Sequence, residues 1–281
     1  MSDDIVSTGW LADHLGSPDL AILDGSWHLP ATKRSARREF TEGHIPGAQF
    51  FDIDEIADTA SPLPHMLPAP EKFSSRMRKL GVGDGKRVIV YDAAGLFSAA
   101  RVWWMFKVFG HDDVAVLDGG LPKWKAENHA LVEGPAVVPQ ERHFTARYRS
   151  MMVRDKSDVS RAIKTAAEQI ADARSPTRFR GEEAEARPGV RAGHMPGARS
   201  LHYATLLNSD GTLKSPQQIA AVFADAGIDV ARPVITSCGS GVTAAILSLG
   251  LTLIGAREHS LYDGSWTEWG GDPGSPVATG A

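Results

Sequence analysis

The chain has 281 residues, 42% hydrophobic and 23% charged, with a formal net charge of −4. This composition supports a packed core in one large or two ordinary domains and excludes global disorder, while the negative charge argues against nucleic-acid binding through a basic face. No apolar run reaches the roughly 18 residues of a membrane span, and the lone Cys238 excludes an internal disulfide or a cysteine-built zinc site; Met1-Ser2-Asp3-Asp4 lacks the basic and apolar regions of a secretory signal, so a reducing cytoplasm is expected.

In chain order, Leu23-Asp24 ends the first apolar run and Gly43-His44-Ile45-Pro46-Gly47-Ala48 forms a turn. Val88 to Tyr91 predicts a strand, Ser98 to Phe109 a helix ended by Gly110, and Val114 to Leu117 a second strand before Asp118-Gly119-Gly120 and Trp124. The stretch from Val132 to Asp158, with Gly134, Pro135, Pro139 and many charges, reads as a connection. Ile170-Ala171 predicts a short strand running into Asp172. Ser215 is placed to cap a helix, with Pro216 at its first position, Gln218 completing a capping box and Gly227 closing it. Val234 to Ser237 is β-branched and apolar, a buried strand; Thr243 to Leu253 is a helix covered on most sides; His259 to Tyr262 is a strand. Alternating strand and helix patterns imply an α/β fold whose sheets are mostly parallel with helices on both faces.

The chain is a repeat. The Gly43–Ala48 turn recurs as Gly193-His194-Met195-Pro196-Gly197-Ala198, Leu117-Asp118-Gly119-Gly120 with Trp124 recurs as Tyr262-Asp263-Gly264-Ser265 with Trp269, and Leu23-Asp24 recurs as Ala171-Asp172. Matched landmarks in one order at nearly constant offset divide the chain into two domains, 1–135 and 158–281, joined by a linker at 136–157. Duplication of His44 and His194 argues for a structural role, and Trp103, Trp104, Trp266 and Trp269 are expected in the core.

Ligand sites in such sheets lie at the carboxyl ends of strands, which is where Cys238 falls. The loop Cys238-Gly239-Ser240-Gly241-Val242-Thr243 then enters a helix. Its glycines allow a tight curve with N–H groups pointing inward, and the helix N-terminus adds partial positive charge, so both favour an anion at the sulfur. A cysteine phosphatase needs an arginine closing its loop, where this chain has Ala244, and no histidine is marked by the sequence as a protease base. A sulfur carrier needs only a cradled thiolate. The equivalent position in the first half is Asp92, before Ala93-Ala94-Gly95-Leu96-Phe97-Ser98, so that half is expected to be a non-catalytic copy, with Asp92 capping the turn.

At these residues the chain resembles the tandem rhodanese-like sulfurtransferases, and within them the 3-mercaptopyruvate sulfurtransferase branch; the rhodanese branch usually has Arg-Lys at the positions of Gly239-Ser240. The resemblance extends through Ser26-Trp27-His28-Leu29-Pro30, Arg37-Arg38-Glu39-Phe40, Phe50-Phe51-Asp52-Ile53-Asp54, Ser61-Pro62-Leu63-Pro64-His65-Met66, Arg101-Val102-Trp103-Trp104 and Tyr262-Asp263-Gly264-Ser265-Trp266. It implies two rhodanese-like domains and attack by Cys238 on the sulfur of 3-mercaptopyruvate, with pyruvate leaving and a persulfide remaining. A thiol acceptor such as thioredoxin, or cyanide, takes that sulfur, with no metal or organic cofactor. It also implies that Arg178 and Arg187 bind the substrate together with the loop residues Gly239, Gly241, Val242 and Thr243, and that Ser240, His65 and Asp54 form a proton relay. The family's Glu-Pro-Arg is here Glu185-Ala186-Arg187, which loosens that loop. Guanidinium groups suit a 2-oxo acid because they grip its oxygens bidentately. His65 lies in a proline-rich loop of the first half and is expected to reach a cleft between the domains. The alternatives are a thiosulfate sulfurtransferase and a catalytically silent rhodanese-like docking module.

Overall fold

The computed structural model describes residues 4–280. It places each short apolar run in the middle of a parallel sheet. In the first unit the strands are β1 (Ile5–Val6), β2 (Leu20–Asp24), β3 (Ala48–Phe50), β4 (Arg87–Tyr91) and β5 (Val114–Leu117), in the order β1-β5-β4-β2-β3. In the second they are β6 (Val153–Arg154), β7 (Gln169–Asp172), β8 (Arg199–Ser200), β9 (Val234–Ser237) and β10 (His259–Tyr262), in the order β6-β10-β9-β7-β8. Every strand pair is parallel. The two sheets share one topology, as the repeat requires, and the chain is α/β with two such domains.

Central strands of a parallel sheet are covered on both faces and so carry continuous apolar sequence. Val88, Ile89, Val90 and Tyr91 of β4, and all of β5, are buried. Ile89, Tyr91, Ala115 and Leu117 join Leu11, Phe40 and Trp124 in one core; strand alternation sends Val88, Val90, Val114 and Val116 to the opposite face. The helix Ala99–Val108, wholly buried apart from Lys107, packs on β4 and β5. In the second unit Ile170, Ile235, Tyr262, Trp266 and Trp269 form the corresponding core, and the helix Ala244–Leu253 packs on β9 and β10. Trp103, Trp104, Trp266 and Trp269 are all core residues.

Local signals set the boundaries. Ser215 and Gln218 form the capping box that opens Pro216–Asp225, and Gly227 takes φ +73° beyond its end. Ser98 is the residue before the helix Ala99–Val108, and Gly110 takes φ +81° after it. Two short segments cluster with the sheet they do not adjoin in sequence. Ala60–Met66 belongs with the second unit and Asn208–Leu213 with the first, whose main body runs to Arg149. Within 136–157, Phe144 is buried against Phe73 and Phe106 of the first unit, and Val153–Arg154 pairs with β10 of the second. No helix among the described residues is long and apolar enough to cross a membrane.

Candidate active site

Cys238 is the first residue beyond β9 and is buried. The loop that follows turns at Gly241, φ +75°, and enters the helix Ala244–Leu253 with no side-chain cap on its first turn. The N–H groups of Gly239, Ser240, Val242 and Thr243 have no acceptor among the described residues. Loop N–H groups left without an acceptor at the positive end of a helix favour a bound anion.

The start of the next helix holds the cysteine backbone. Trp266 N–H donates to Cys238 O (3.0 Å), Thr267 N–H to Gly239 O (2.9 Å), and Cys238 N–H to Ser265 Oγ (3.3 Å). Ser265 Oγ in turn donates to Tyr262 O (2.8 Å). Ser265 sits at φ +50°, a left-handed conformation that penalises a residue with a Cβ. Its counterpart in the first unit is Gly120, φ +54°, where a Cβ would lie 2.6 Å from Asp92 O and from Gly95 O. The first copy relieves the strain with glycine; the second keeps it and gains a hydroxyl that ties Cys238 to β10.

The same comparison shows what the loop is shaped for. Asp92 follows β4 as Cys238 follows β9, and Gly95 takes φ +97° where Gly241 takes +75°. Asp92 Oδ1 accepts Ala94 N–H (2.8 Å), and Oδ2 accepts those of Phe97 (2.7 Å), Ser98 (2.8 Å) and Ala99 (2.8 Å). In the first unit the loop is thus filled by the chain's own carboxylate. Asp92 caps the turn.

Arg178 lies against the cysteine loop. A Cβ on Gly239 would come within 3.1 Å of its Nη2, so a larger residue there would push the guanidinium aside by a few tenths of an ångström. Its Nε is buried with no hydrogen-bond partner among the described residues, an N–H suited to a ligand oxygen. Nη2 is bonded to Glu185, whose other oxygen accepts Arg174 Nη1 (2.7 Å). Arg174 is fully buried, packed over Trp266 at 4.5 Å, and its guanidinium also donates to Asp172 and to Gly193 O. Burial works against its charge, but the attraction and hydrogen bonds of Asp172 and Glu185 outweigh that, and its pKa is raised.

Arg187 Nη2 stands 3.5 Å from His65 Nε2, both within the second unit. For the arginine to donate, His65 must be neutral with its proton on Nδ1. His65 is buried and takes φ +62°, another strained position. Asp54 lies in the first unit, where its Oδ2 accepts Trp27 Nε1–H (3.0 Å). Ser240 is buried in the loop beside Cys238. The second unit therefore brings together Cys238, Gly239, Ser240, Gly241, Val242, Thr243 and Arg178, and pairs Arg187 with His65.

The remaining repeated residues have structural duties. His44 and His194 each bond a backbone carbonyl through Nδ1 (Phe40 O and Phe179 O, both 2.8 Å) and stack on that phenylalanine. Asp24 and Asp172 occupy equivalent strand ends but have diverged. Asp172 is paired with Arg174, whereas burial pushes Asp24 up to about 6. The sequence reading missed Ser265, Arg174 and Glu185 as site residues. The first had a signal, a serine where the repeated turn has glycine; the acidic residue was hidden in a charged loop.

The rhodanese-like domain family matches residues 7–127 and again 155–272. A human 3-mercaptopyruvate sulfurtransferase is 43% identical over 271 residues, covering 94% of this chain and 91% of its own. An Escherichia coli 3-mercaptopyruvate sulfurtransferase is 43% identical over 273 residues, covering 97% and 96%. The crystal structure of an Escherichia coli 3-mercaptopyruvate sulfotransferase with the rhodanese fold superposes with a TM-score of 0.86 at 42% identity, over 93% of this chain and 98% of that one.

Proposed function

The chain belongs to the rhodanese-like family, in which it falls among the 3-mercaptopyruvate sulfurtransferases, and we propose that it carries sulfur from 3-mercaptopyruvate to a thiol through a persulfide on Cys238. The observation that carries this reading is the pair of equivalent loops. One is satisfied by the Asp92 carboxylate; in the other, which begins at a cysteine, the N–H groups of Gly239, Ser240, Val242 and Thr243 have no acceptor among the described residues. A loop shaped to hold one negative charge stabilises a thiolate before transfer and an anionic persulfide after it.

In the first half-reaction the Cys238 thiolate attacks the donor sulfur. The new S–S bond forms as the donor C–S bond breaks, its electron pair passes to carbon as the pyruvate enolate, and the proton of the donor thiol ends on that carbon. Cys238 holds Cys–S–S⁻ and pyruvate is released. Arg178 and Arg187 clamp the donor carboxylate and carbonyl; their guanidinium geometry matches two oxygens at once. Ser240 and His65, both in the second unit, move the proton. In the second half-reaction a thiolate, such as that of a thioredoxin in the cytoplasm, attacks the outer sulfur and Cys238 leaves as thiolate; cyanide does the same in vitro and gives thiocyanate.

Gly239 and Ser240 place no cation at the outer sulfur, which disfavours a compact dianion such as thiosulfate. The test is intact mass after incubation with 3-mercaptopyruvate or thiosulfate, with Cys238→Ser as control. The expected result is gain of one sulfur atom at Cys238, reached at lower concentration with 3-mercaptopyruvate. Better labelling by thiosulfate assigns a thiosulfate sulfurtransferase, and no labelling by either donor leaves a docking module.

A further inference from the structure

Glu185 stands at the junction of two charge systems. Its side chain is 4% exposed, yet it carries bonds to two arginines, the fully buried Arg174 and the partly exposed Arg178. Arg174 is itself fixed from three further directions, by Asp172, by Gly193 O and by the Trp266 ring. The rigid end of the chain is therefore Arg174, and the adjustable end is Arg178, whose Nη2 lies over Gly239 of the cysteine loop. Two residues further along the same loop is Arg187, whose guanidinium meets His65.

We infer that Glu185 is the positioning residue of the donor clamp: anchored through Arg174, it sets the guanidinium of Arg178 over the cysteine loop and holds the segment that carries Arg187. This rests on the reading that the two arginines receive the donor's carboxylate and carbonyl. Bidentate recognition requires a guanidinium plane fixed in direction as well as in position. Free arginine explores many rotamers, and one carboxylate bonded to one terminal nitrogen removes most of them while leaving the buried Nε–H for the substrate. The loop needs that anchor here because Ala186 stands between Glu185 and Arg187 and stiffens nothing.

Charge and position make opposite demands on this residue, which makes the inference testable. Asp172, Arg174, Arg178 and Glu185 form two ion-paired couples with no net charge. Replacing Glu185 by glutamine leaves the cluster with one net positive charge. By charge alone an anionic donor binds more tightly; by position it binds more weakly.

Steady-state kinetics with 3-mercaptopyruvate and cyanide, with thermal melting of each protein, are compared for Glu185→Gln, Glu185→Asp, Arg178→Ala and the double variant Glu185→Gln/Arg178→Ala. Glu185→Gln is expected to raise KM about tenfold or more while kcat changes by less than about threefold, the mark of weakened donor binding. Glu185→Asp, charged but one methylene short, moves KM the same way to a smaller extent. The double variant is no worse than Arg178→Ala, because Glu185 acts through that side chain. An unchanged or lowered KM in folded Glu185→Gln overturns the inference, as does full additivity in the double variant. If the glutamine variant does not fold, an unchanged KM in Glu185→Asp overturns it instead. A wild-type KM in Arg178→Ala defeats the donor-clamp reading itself, whereas a raised KM there with a normal one in both Glu185 variants defeats only the role of Glu185.

Discussion

Asp92→Ala separates a structural carboxylate from a catalytic one. The side chain is 1% exposed and accepts four backbone N–H groups within 2.8 Å. Hydrogen bonds to a charged group contribute about 1.5–3 kcal/mol each when removed singly. They are not additive, and water entering the vacated space satisfies part of the loop, so a total of about 3–5 kcal/mol is expected. For a unit of this size that corresponds to a drop in melting temperature on the order of 10 °C. An added anion should enter the opened loop, so excess sulfate should recover more stability in the variant than in the unsubstituted protein. Persulfide formation on Cys238, followed by intact mass below both transitions, should survive. Circular dichroism melts showing no loss of stability would refute the account of the filled loop. A folded variant as inert as Cys238→Ser would refute the passive role of the first unit.

Three further outcomes follow from the same structure. Gly239→Ala puts a methyl 3.1 Å from Arg178 Nη2, and since that is the end of a flexible side chain it should shift, raising KM for 3-mercaptopyruvate by less than about tenfold with little change in melting temperature; a loss of fold would show the loop to be tighter than this. Burial raises Asp24 from 3.8 to about 6, so the folded state holds its proton more tightly than the unfolded one; the cost is absent below pH about 4 and complete above about 6, and Asp24→Asn, which keeps an acceptor for Ser26 N–H, should reduce the loss of unfolding free energy between pH 4 and 7 by about 2 kcal/mol in urea titrations. Burial lowers His259 from 6.5 to about 4, the opposite linkage, with stability full above pH 6.5 and falling as pH drops toward 4; His259→Gln, able to bond Thr252 Oγ1, should remove about 3 kcal/mol of that acid sensitivity, and an unchanged acid limb would contradict it.

The sequence by itself determined whatever is encoded locally. The runs Val88 to Tyr91 and Val114 to Leu117 announce strands because a strand buried on both faces is apolar throughout. Ser215-Pro216-Gln218 announces a helix start because capping is a contact between residues three apart. The Cys238 loop could be singled out because its glycines, its strand end and its helix start are contiguous, and the duplicated turns gave the two-domain repeat. What tertiary structure alone decided depends on partners far apart in the chain or on backbone angles a serine does not advertise. Asp92 was readable as a turn cap, but not as the occupant of a four-donor loop. Ser265 holds a conformation its repeat gives to glycine, visible only once Cys238 N–H is seen bonded to it. Glu185 looked like one charge in a solvated run, and only folding brings Arg174 and Arg178 to its two oxygens. His65, early in the chain, packs with the second unit, because loop closure costs little more over a hundred residues than over a few tens, so nothing local marks which sheet a loop will join.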